Sequence, residues 1–248
     1  QLKGDSETHP SLSPDDPFAD FERWDEYNIS NTTKTTPDMY PGSYARSALR
    51  RGLALERSAG ANPYAFGMIG STDDHTSLAT AEEDNFFGKF PESEPKPDRM
   101  ISGLALGRLW QNSNIVASGY AAVWATENTR EALFDAMKRK EVYATTGSRI
   151  RVRFFGGWDY KNEDVDEPNY LDIAYRGGVP MGGDMTNAPK NGNPTFIAVA
   201  AKDPSGANLD RIQLVKGWLD SDGKLLEKIY DVAWSGERVP DPESGRLP

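Results

Sequence analysis

The stretch NPYAFGMIGSTDDH (residues 62–75) decides the fold class of this chain. Its apolar part, YAFGMIGS, is short and lies between Pro63 and a polar end, which predicts a buried strand. The residues before it, YARSALRRGLALERSA (44–59), have helical propensity and stop at Gly60, which predicts a helix. A helix followed by a buried strand whose end carries polar residues is typical of an α/β fold.

The end of the predicted strand carries an acid-x-histidine pair, Asp73 and His75. On an extended backbone, residues two apart point to the same face, so this carboxylate and imidazole can converge on a divalent cation such as zinc or manganese. A solvated turn with a helix cap explains the same residues. The chain's other histidine repeats the spacing as Glu7-x-His9, again in a loop-like segment. Shared metal ligation and two surface loops therefore both remain open.

A third candidate stretch is ATTGSRI (144–150). The hydroxyl groups of Thr145 and Thr146, the nearby backbone amides and the guanidinium of Arg149 can together bind an oxyanion. The alternative is a turn that leaves a helix with Gly147 in a left-handed conformation. The two interpretations are compatible with each other.

Composition excludes several classes of function. The chain has 248 residues, 37% of them hydrophobic, which is enough for one large domain or two ordinary ones. Its net charge of -10 disfavours non-specific binding to nucleic acid or to anionic membranes. No apolar run reaches the roughly 20 residues that span a bilayer. The absence of cysteine excludes disulfides and thiolate zinc sites, and the chain carries no P-loop, GxSxG or GxGxxG motif.

Two further segments predict helices. SPDDPFADFERWDEY (13–27) starts with proline and acidic residues, and its aromatic residues recur every three positions. ENTREALFDAMKRKEVYATTG (127–147) carries Asn128 as the expected cap and Glu131 as its capping-box partner. In the helix over 44–59 we expect three leucines to face inward, namely Leu49, Leu53 and Leu55.

Beyond Gly147 the sequence changes to short alternating runs separated by turn residues. These runs predict an antiparallel β-sandwich or a similar β-rich module. The expected division is an α/β part over residues 1–147 and a β-rich part over 148–248. The predicted strands are IRVRFFGGW (150–158), LDIAYRGG (171–178), TFIAVAAKD (195–203), LDRIQLVKGWLD (209–220) and KLLEKIYDVAW (224–234).

Long blocks of the sequence resemble, in order, the carboxyl-terminal part of the DUF3604 family, which is similar to the PHP (polymerase and histidinol phosphatase) metal-dependent phosphoesterases. The blocks are GDSETHPSLSPDDPFADFERWD, NPYAFGMIGSTDDHTSLATAEEDNFFGK, ASGYAAVWATENTREALFDAMKRKEVYATTGSRIRVRFFGGWD, LDRIQLVKGWLD and EKIYDVAWSG. The resemblance implies the end of a distorted (β/α)7-type barrel followed by a β-rich, sandwich-like module.

The resemblance also implies roles for individual residues. Asp73-x-His75 matches the DxH motif that closes the PHP metal site, and His9 with Glu7 resembles an earlier ligand segment. Thr146 and Arg149 fall where a phosphate would be held. Such sites usually hold two or three divalent ions, here zinc, manganese or iron, and use a metal-bound hydroxide to displace an alcohol from phosphorus.

One departure from the family pattern limits these roles. PHP proteins begin with an HxH pair, which this chain lacks. We therefore expect that the amino-terminal part of the same protein supplies the other ligands, and that this chain alone binds metal weakly and is inactive. A periplasmic or secreted location fits the absence of cysteine and the habit of related proteins.

Three hypotheses follow. The first is a metal-dependent phosphoesterase acting on a small phosphoester. The second is a non-catalytic structural or binding module of the cell envelope, in which the histidines are incidental. The third is a hydrolase that cleaves a non-phosphate ester, an amide or a sulfate at the same metal site.

Overall fold

The computed structural model describes residues 6–21, 27–28, 32–72, 74–75, 90–91, 96–98, 101–105, 109–111, 119–243 and 247. These residues contain both helices and strands, as predicted for an α/β chain. The α-helices are α1 (Ala45–Ala59), α2 (Arg130–Lys138) and α3 (Tyr170–Gly177). The strands are β1 (Gly103–Ala105), β2 (Leu109–Gln111), β3 (Ala121–Val123), β4 (Val142–Ala144), β5 (Arg151–Gly157), β6 (Gly178–Pro180), β7 (Thr195–Ala201), β8 (Arg211–Leu219) and β9 (Leu225–Trp234).

The strands form small antiparallel sheets. The pairs are β1–β2, β3–β4 and β8–β9, and the largest sheet has the order β6-β5-β7. Strand β5 pairs with β7 from Arg151↔Ala201 to Gly157↔Thr195. The described residues form no closed barrel, and none of their helices is long and apolar enough to cross a membrane.

The main buried cluster lies between the β6-β5-β7 sheet and α3. It consists of Phe155, Tyr160, Ala174 and Ile197, with Leu171 and Val199 packed against it. The predicted strand over LDIAYRGG is wrong, because this run forms helix α3. Leu171 and Ala174 are three residues apart, so a helix places both against the same cluster.

Helix α1 confirms the prediction for residues 44–59 and ends at Gly60, whose φ is 76°. It lies against the β8–β9 hairpin, where Arg57 donates hydrogen bonds to the backbone oxygens of Asp220 (3.0 Å) and Ser221 (2.9 Å). The inward-facing role predicted for two of its leucines is wrong, since Leu49 and Leu55 are each 37% exposed. The buried residues of α1 are instead Ser47 and Gly52.

Helix α2 confirms the helix predicted within residues 127–147 as far as Lys138, with a different cap, whereas Val142–Ala144 of the same stretch forms strand β4. Thr129, rather than Asn128, is the N-cap, and its hydroxyl accepts a hydrogen bond from Ala132 N at 3.4 Å. The left-handed residue beyond this helix is Lys140, with φ of 64°, rather than Gly147.

The helix predicted over 13–27 does not form in its described part, which consists of turns as far as residue 21. Pro14 and Pro17 lack the backbone N–H group that donates the hydrogen bonds of a helix. The carboxylate of Asp16 accepts a hydrogen bond from Phe18 N at 2.9 Å, an Asx turn that competes with helix formation. Residues 22–26 lie outside the described part of the chain.

Candidate functional site

Two predicted site residues and the predicted strand border one cavity of about 1250 Å³. Glu7 lies on one wall and Thr146 on another, and residues 64–69 of the predicted strand form a third. Helix α1 and the β8–β9 hairpin provide the remaining surface, which includes Leu49 and Val215. His9, His75 and Arg149 are not among the residues that line the cavity.

The apolar segment beside the cavity has no regular secondary structure and is paired with no strand of the described chain. Residues 65–69 are all exposed, which contradicts the predicted burial. Phe66 is 51% exposed, Met68 47% and Ile69 44%. A strand must pair with neighbours on both edges and be covered on both faces to be buried, and the described residues provide neither.

His75 lies six residues beyond Ile69 in the sequence. The imidazole lies edge-on to the ring of Phe90, with centroids 4.6 Å apart and planes at 86°. Asp73, its predicted co-ligand, lies outside the described residues. His75 does not line the cavity, and the structure does not test the Asp73–His75 pairing.

Glu7 is held by an ion pair. Its carboxylate accepts two hydrogen bonds from the guanidinium of Arg46, one of them from Nε at 2.8 Å. Arg46 also donates to Asp16 at 2.6 Å. Burial alone would lower the pKa of Arg46, but the charges and hydrogen bonds of Glu7 and Asp16 raise it above its usual value. Glu7 therefore serves as a counter-ion in this structure.

His9 packs against two tyrosine rings. Its ring stacks on Tyr40 with centroids 3.9 Å apart and lies 5.8 Å from Tyr44, and the residue is 8% exposed. Its Nδ1 accepts a hydrogen bond from Ser11 N at 3.0 Å and lies 2.6 Å from Ser11 Oγ. Because Nδ1 is an acceptor, the neutral ring carries its proton on Nε2.

Residues of the predicted oxyanion-binding stretch also make contacts with other residues of the chain. Thr145 is buried, and its hydroxyl accepts a hydrogen bond from Tyr120 N at 3.1 Å. Arg149 N donates to Asp203 at 2.6 Å, and the Arg149 guanidinium lies 5.2 Å from the Tyr120 ring centre. Hydrogen bonds from Arg149 N and Ser205 N lower the pKa of the Asp203 carboxyl. Ala144 and Thr146 of this stretch line the cavity, and Thr146 is the only one of the three predicted anion-binding residues, Thr145, Thr146 and Arg149, that does so.

Sequence reasoning missed the charged floor of the cavity. Arg46 and Arg50 are four residues apart on α1 and share a helix face. Their guanidinium groups lie 3.8 Å and 3.7 Å from the Glu227 carboxylate of β9. Oε2 of Glu227 is buried and has no hydrogen-bond partner among the described residues. The arginine spacing was visible in the sequence, but the partner on a distant strand was not.

Within the described part of the chain, no group of three or more histidine, aspartate or glutamate side chains is placed to hold a metal ion. These residues alone therefore do not form a complete metal site. They provide a cavity with an apolar wall, a charged floor and a single hydroxyl, that of Thr146, from the oxyanion stretch.

The family model described as "Protein of unknown function (DUF3604)" matches residues 1–248. No curated protein and no solved structure is significantly similar to the chain. The match confirms the family resemblance seen in the sequence blocks, and its description assigns no activity.

Proposed function

The chain belongs to the DUF3604 family, and we propose that it is the carboxyl-terminal part of a metal-dependent hydrolase whose reaction is phosphoester cleavage. Residues 1–147 would complete a PHP-like barrel, and residues 148–248 would form a sandwich-like module beside it. The observation that carries the proposal is the convergence of Glu7 and Thr146 on the cavity that residues 64–69 also line, with His75 six residues beyond Ile69 in the sequence. The resemblance to PHP proteins gives the chemistry.

In this proposal each predicted residue has a role. His75 and Asp73 bind a divalent ion of zinc, manganese or iron, and His9 and Glu7 supply further ligands. A bound ion of this kind lowers the pKa of a coordinated water molecule towards neutrality. Ligation by Glu7 requires the carboxylate to leave Arg46, and the amino-terminal part of the same protein contributes the ligands that this chain lacks.

Thr146 and Arg149 would bind the substrate's oxyanion. Thr146 borders the cavity, where its hydroxyl would donate a hydrogen bond to a phosphoryl oxygen. Arg149 would have to turn its guanidinium away from the ring of Tyr120. The substrate is a small phosphoester or a related ester, and we place the complete protein in the periplasm or outside the cell.

A second candidate function is a non-catalytic structural or binding module of the cell envelope. The internal contacts of two predicted ligands favour it: Glu7 is paired with Arg46, and His9 stacks on Tyr40. In such a module both residues stabilise the fold and no metal is needed.

The deciding experiment compares the longer parent protein with its His75→Ala variant. We expect the wild type to contain stoichiometric zinc, manganese or iron by elemental analysis, and the variant to lose most of it together with hydrolysis of p-nitrophenyl phosphate. Glu237→Ala, which removes an exposed carboxylate, is the control and should keep the metal. Unchanged metal content in His75→Ala would refute the ligand assignment.

A panel of chromogenic substrates separates the reaction classes. Hydrolysis of p-nitrophenyl phosphate in preference to the acetate and the sulfate supports phosphoester cleavage. If p-nitrophenyl acetate or p-nitrophenyl sulfate were cleaved faster, and if that activity were lost in His75→Ala, the phosphoester assignment would be replaced by hydrolysis of the other ester at the same site.

A further inference from the structure

We propose that Lys140 binds the anionic group of a ligand in the cavity, and that this group is the phosphoryl group of the substrate. The identity of the anion rests on the proposed function, which makes the substrate a phosphoester. The anion site itself is inferred from the backbone conformation of Lys140, from the contacts of its side-chain stem and from the charges that line the cavity.

The backbone of Lys140 occupies a position that usually carries glycine. Helix α2 ends with two hydrogen bonds, from Lys140 N to Met137 O at 3.0 Å and from Glu141 N to Ala136 O at 3.0 Å. This arrangement is a Schellman motif, whose left-handed residue is most often glycine because a Cβ is unfavourable there. Lys140 is that residue, with φ of 64°. The turn alone therefore does not explain a lysine at this position.

The stem of the Lys140 side chain is held between two glycines. A Cβ on Gly67 would lie 2.9 Å from Lys140 Cβ and 3.0 Å from its Cγ, and a Cβ on Gly182 would lie 2.2 Å from Lys140 O. Both contacts are too close for a residue that carries a side chain. All three residues line the cavity. The two glycines thus fix the base of a long, charged side chain at the cavity wall.

The charges that line the cavity make Lys140 different from the other cations there. Among the described lining residues, Arg46, Arg50 and Lys140 carry a positive charge. Each arginine is ion-paired with a carboxylate, at 2.6 Å and 3.7 Å respectively. In the described part of the chain no carboxylate forms an ion pair with Lys140, and this includes Asp184, which is exposed and also lines the cavity. A half-buried ammonium group of this kind favours an anionic ligand.

Lys140 supplies a cation on the cavity wall without any rearrangement of the chain. Arg149, the cation predicted for the oxyanion, does not line the cavity, and its guanidinium lies over the ring of Tyr120. Thr146, by contrast, lines the same cavity as Lys140. An ammonium group carries three donors and binds phosphate as a compact point charge. Lys140 would therefore neutralise the phosphoryl group, to which Thr146 donates a hydrogen bond.

A calorimetric titration of the native protein with inorganic phosphate tests the site. We expect saturable binding that Lys140→Met weakens at least about tenfold, since a charge-assisted contact is lost. Lys140→Arg keeps the charge and should retain most of the affinity. Lys138→Met removes an exposed ammonium group from the end of the same helix and should leave the affinity unchanged. The proposal is overturned if phosphate does not bind saturably or binds equally well to Lys140→Met.

Thermal melts of the same variants separate an anion site from a structural ion pair. Lys140→Met keeps the stem and removes only the ammonium group, so it should melt like the wild type. A lower melting temperature would show that Lys140 pairs with an acidic residue of this chain, such as one outside the described ranges, and would overturn the proposal. Lys140→Gly should bind phosphate as weakly as Lys140→Met and should not melt earlier, because glycine suits the left-handed turn.

Metal content and the hydrolysis of p-nitrophenyl phosphate, measured on these samples, keep the two proposals apart. Phosphate binding that depends on Lys140 in a metal-free, inactive protein would support the anion site and reject the proposed function. Metal-dependent hydrolysis that is unchanged in Lys140→Met would support the proposed function and reject the role of Lys140.

Discussion

At the scale of single residues, Arg46 joins three separate parts of the chain. It forms ion pairs with Glu7 and Asp16 in the amino-terminal turns and lies 3.8 Å from Glu227 on β9. Asp16 and Glu227 have side chains that are only 3% and 9% exposed. Carboxylates this deeply buried depend on a paired cation, so Arg46 holds this part of the cavity together.

Replacing Arg46 by methionine should destabilise the chain strongly. The variant leaves Asp16 without its cation, and breaking a buried pair in this way typically costs about 3 to 5 kcal/mol. Urea denaturation followed by tryptophan fluorescence would measure the change in the free energy of unfolding. Arg51→Met is the control on the same helix, because Arg51 makes only an exposed hydrogen bond to Pro41 O. Equal losses for the two variants would contradict the role of Arg46.

The carboxyl of Asp203 should make stability depend on pH. Its folded-state pKa is lowered, chiefly by hydrogen bonds from Arg149 N and Ser205 N. Folding therefore favours the ionised carboxylate, which stabilises the folded chain at pH values above the unfolded-state pKa, near 4. This stabilisation is lost as the pH falls through the lower folded-state pKa. Asp203→Asn should flatten the decline of thermal stability below about pH 4. An unchanged slope in melts between about pH 2 and 7 would show that the carboxylate does not contribute.

At the scale of elements, Tyr160 connects α3 to the main sheet. Its hydroxyl donates a hydrogen bond to Ala174 O at 2.5 Å, and its ring lies against Gly157 of β5 and Gly177 of α3. Burial raises the pKa of the Tyr160 hydroxyl, and the charge of Asp164 raises it further, so the group remains a donor at neutral pH.

Tyr160→Phe should weaken the attachment of α3. The substitution keeps the ring but leaves the buried carbonyl of Ala174 without this donor, at a cost of about 1 to 3 kcal/mol. Tyr230→Phe, at a tyrosine that is 39% exposed, should change the free energy of unfolding by less than about 0.5 kcal/mol. If chemical denaturation gave the two variants the same stability, the Tyr160–Ala174 bond would not anchor the helix.

The sequence predicted those elements whose local pattern agrees with their tertiary setting. Strands β5, β7, β8 and β9 alternate, and helix α1 stops at a glycine, so local chemistry was sufficient. It was insufficient for residues 171–178, where packing of Leu171 and Ala174 against the sheet favours a helix. It also failed at 13–21, where the contacts of Asp16 replace helical hydrogen bonds.

At the scale of the whole molecule, part of the candidate site was predictable. The sequence singled out Glu7 and Thr146, and both border the cavity. It could not show that Glu7 is paired with Arg46 or that His9 is enclosed by tyrosines, since both depend on contacts between segments distant in sequence. The exposure of residues 65–69 could not be predicted for the same reason, because the burial of an apolar run depends on which distant segments pack against it.

The most direct test of the account is intact mass spectrometry combined with elemental analysis of the native, undenatured protein. We predict that the native protein, which under the proposed function includes a further amino-terminal part, carries zinc, manganese or iron in stoichiometric amount. A folded parent protein that remains metal-free after incubation with each of these ions would contradict it and would favour the non-catalytic module.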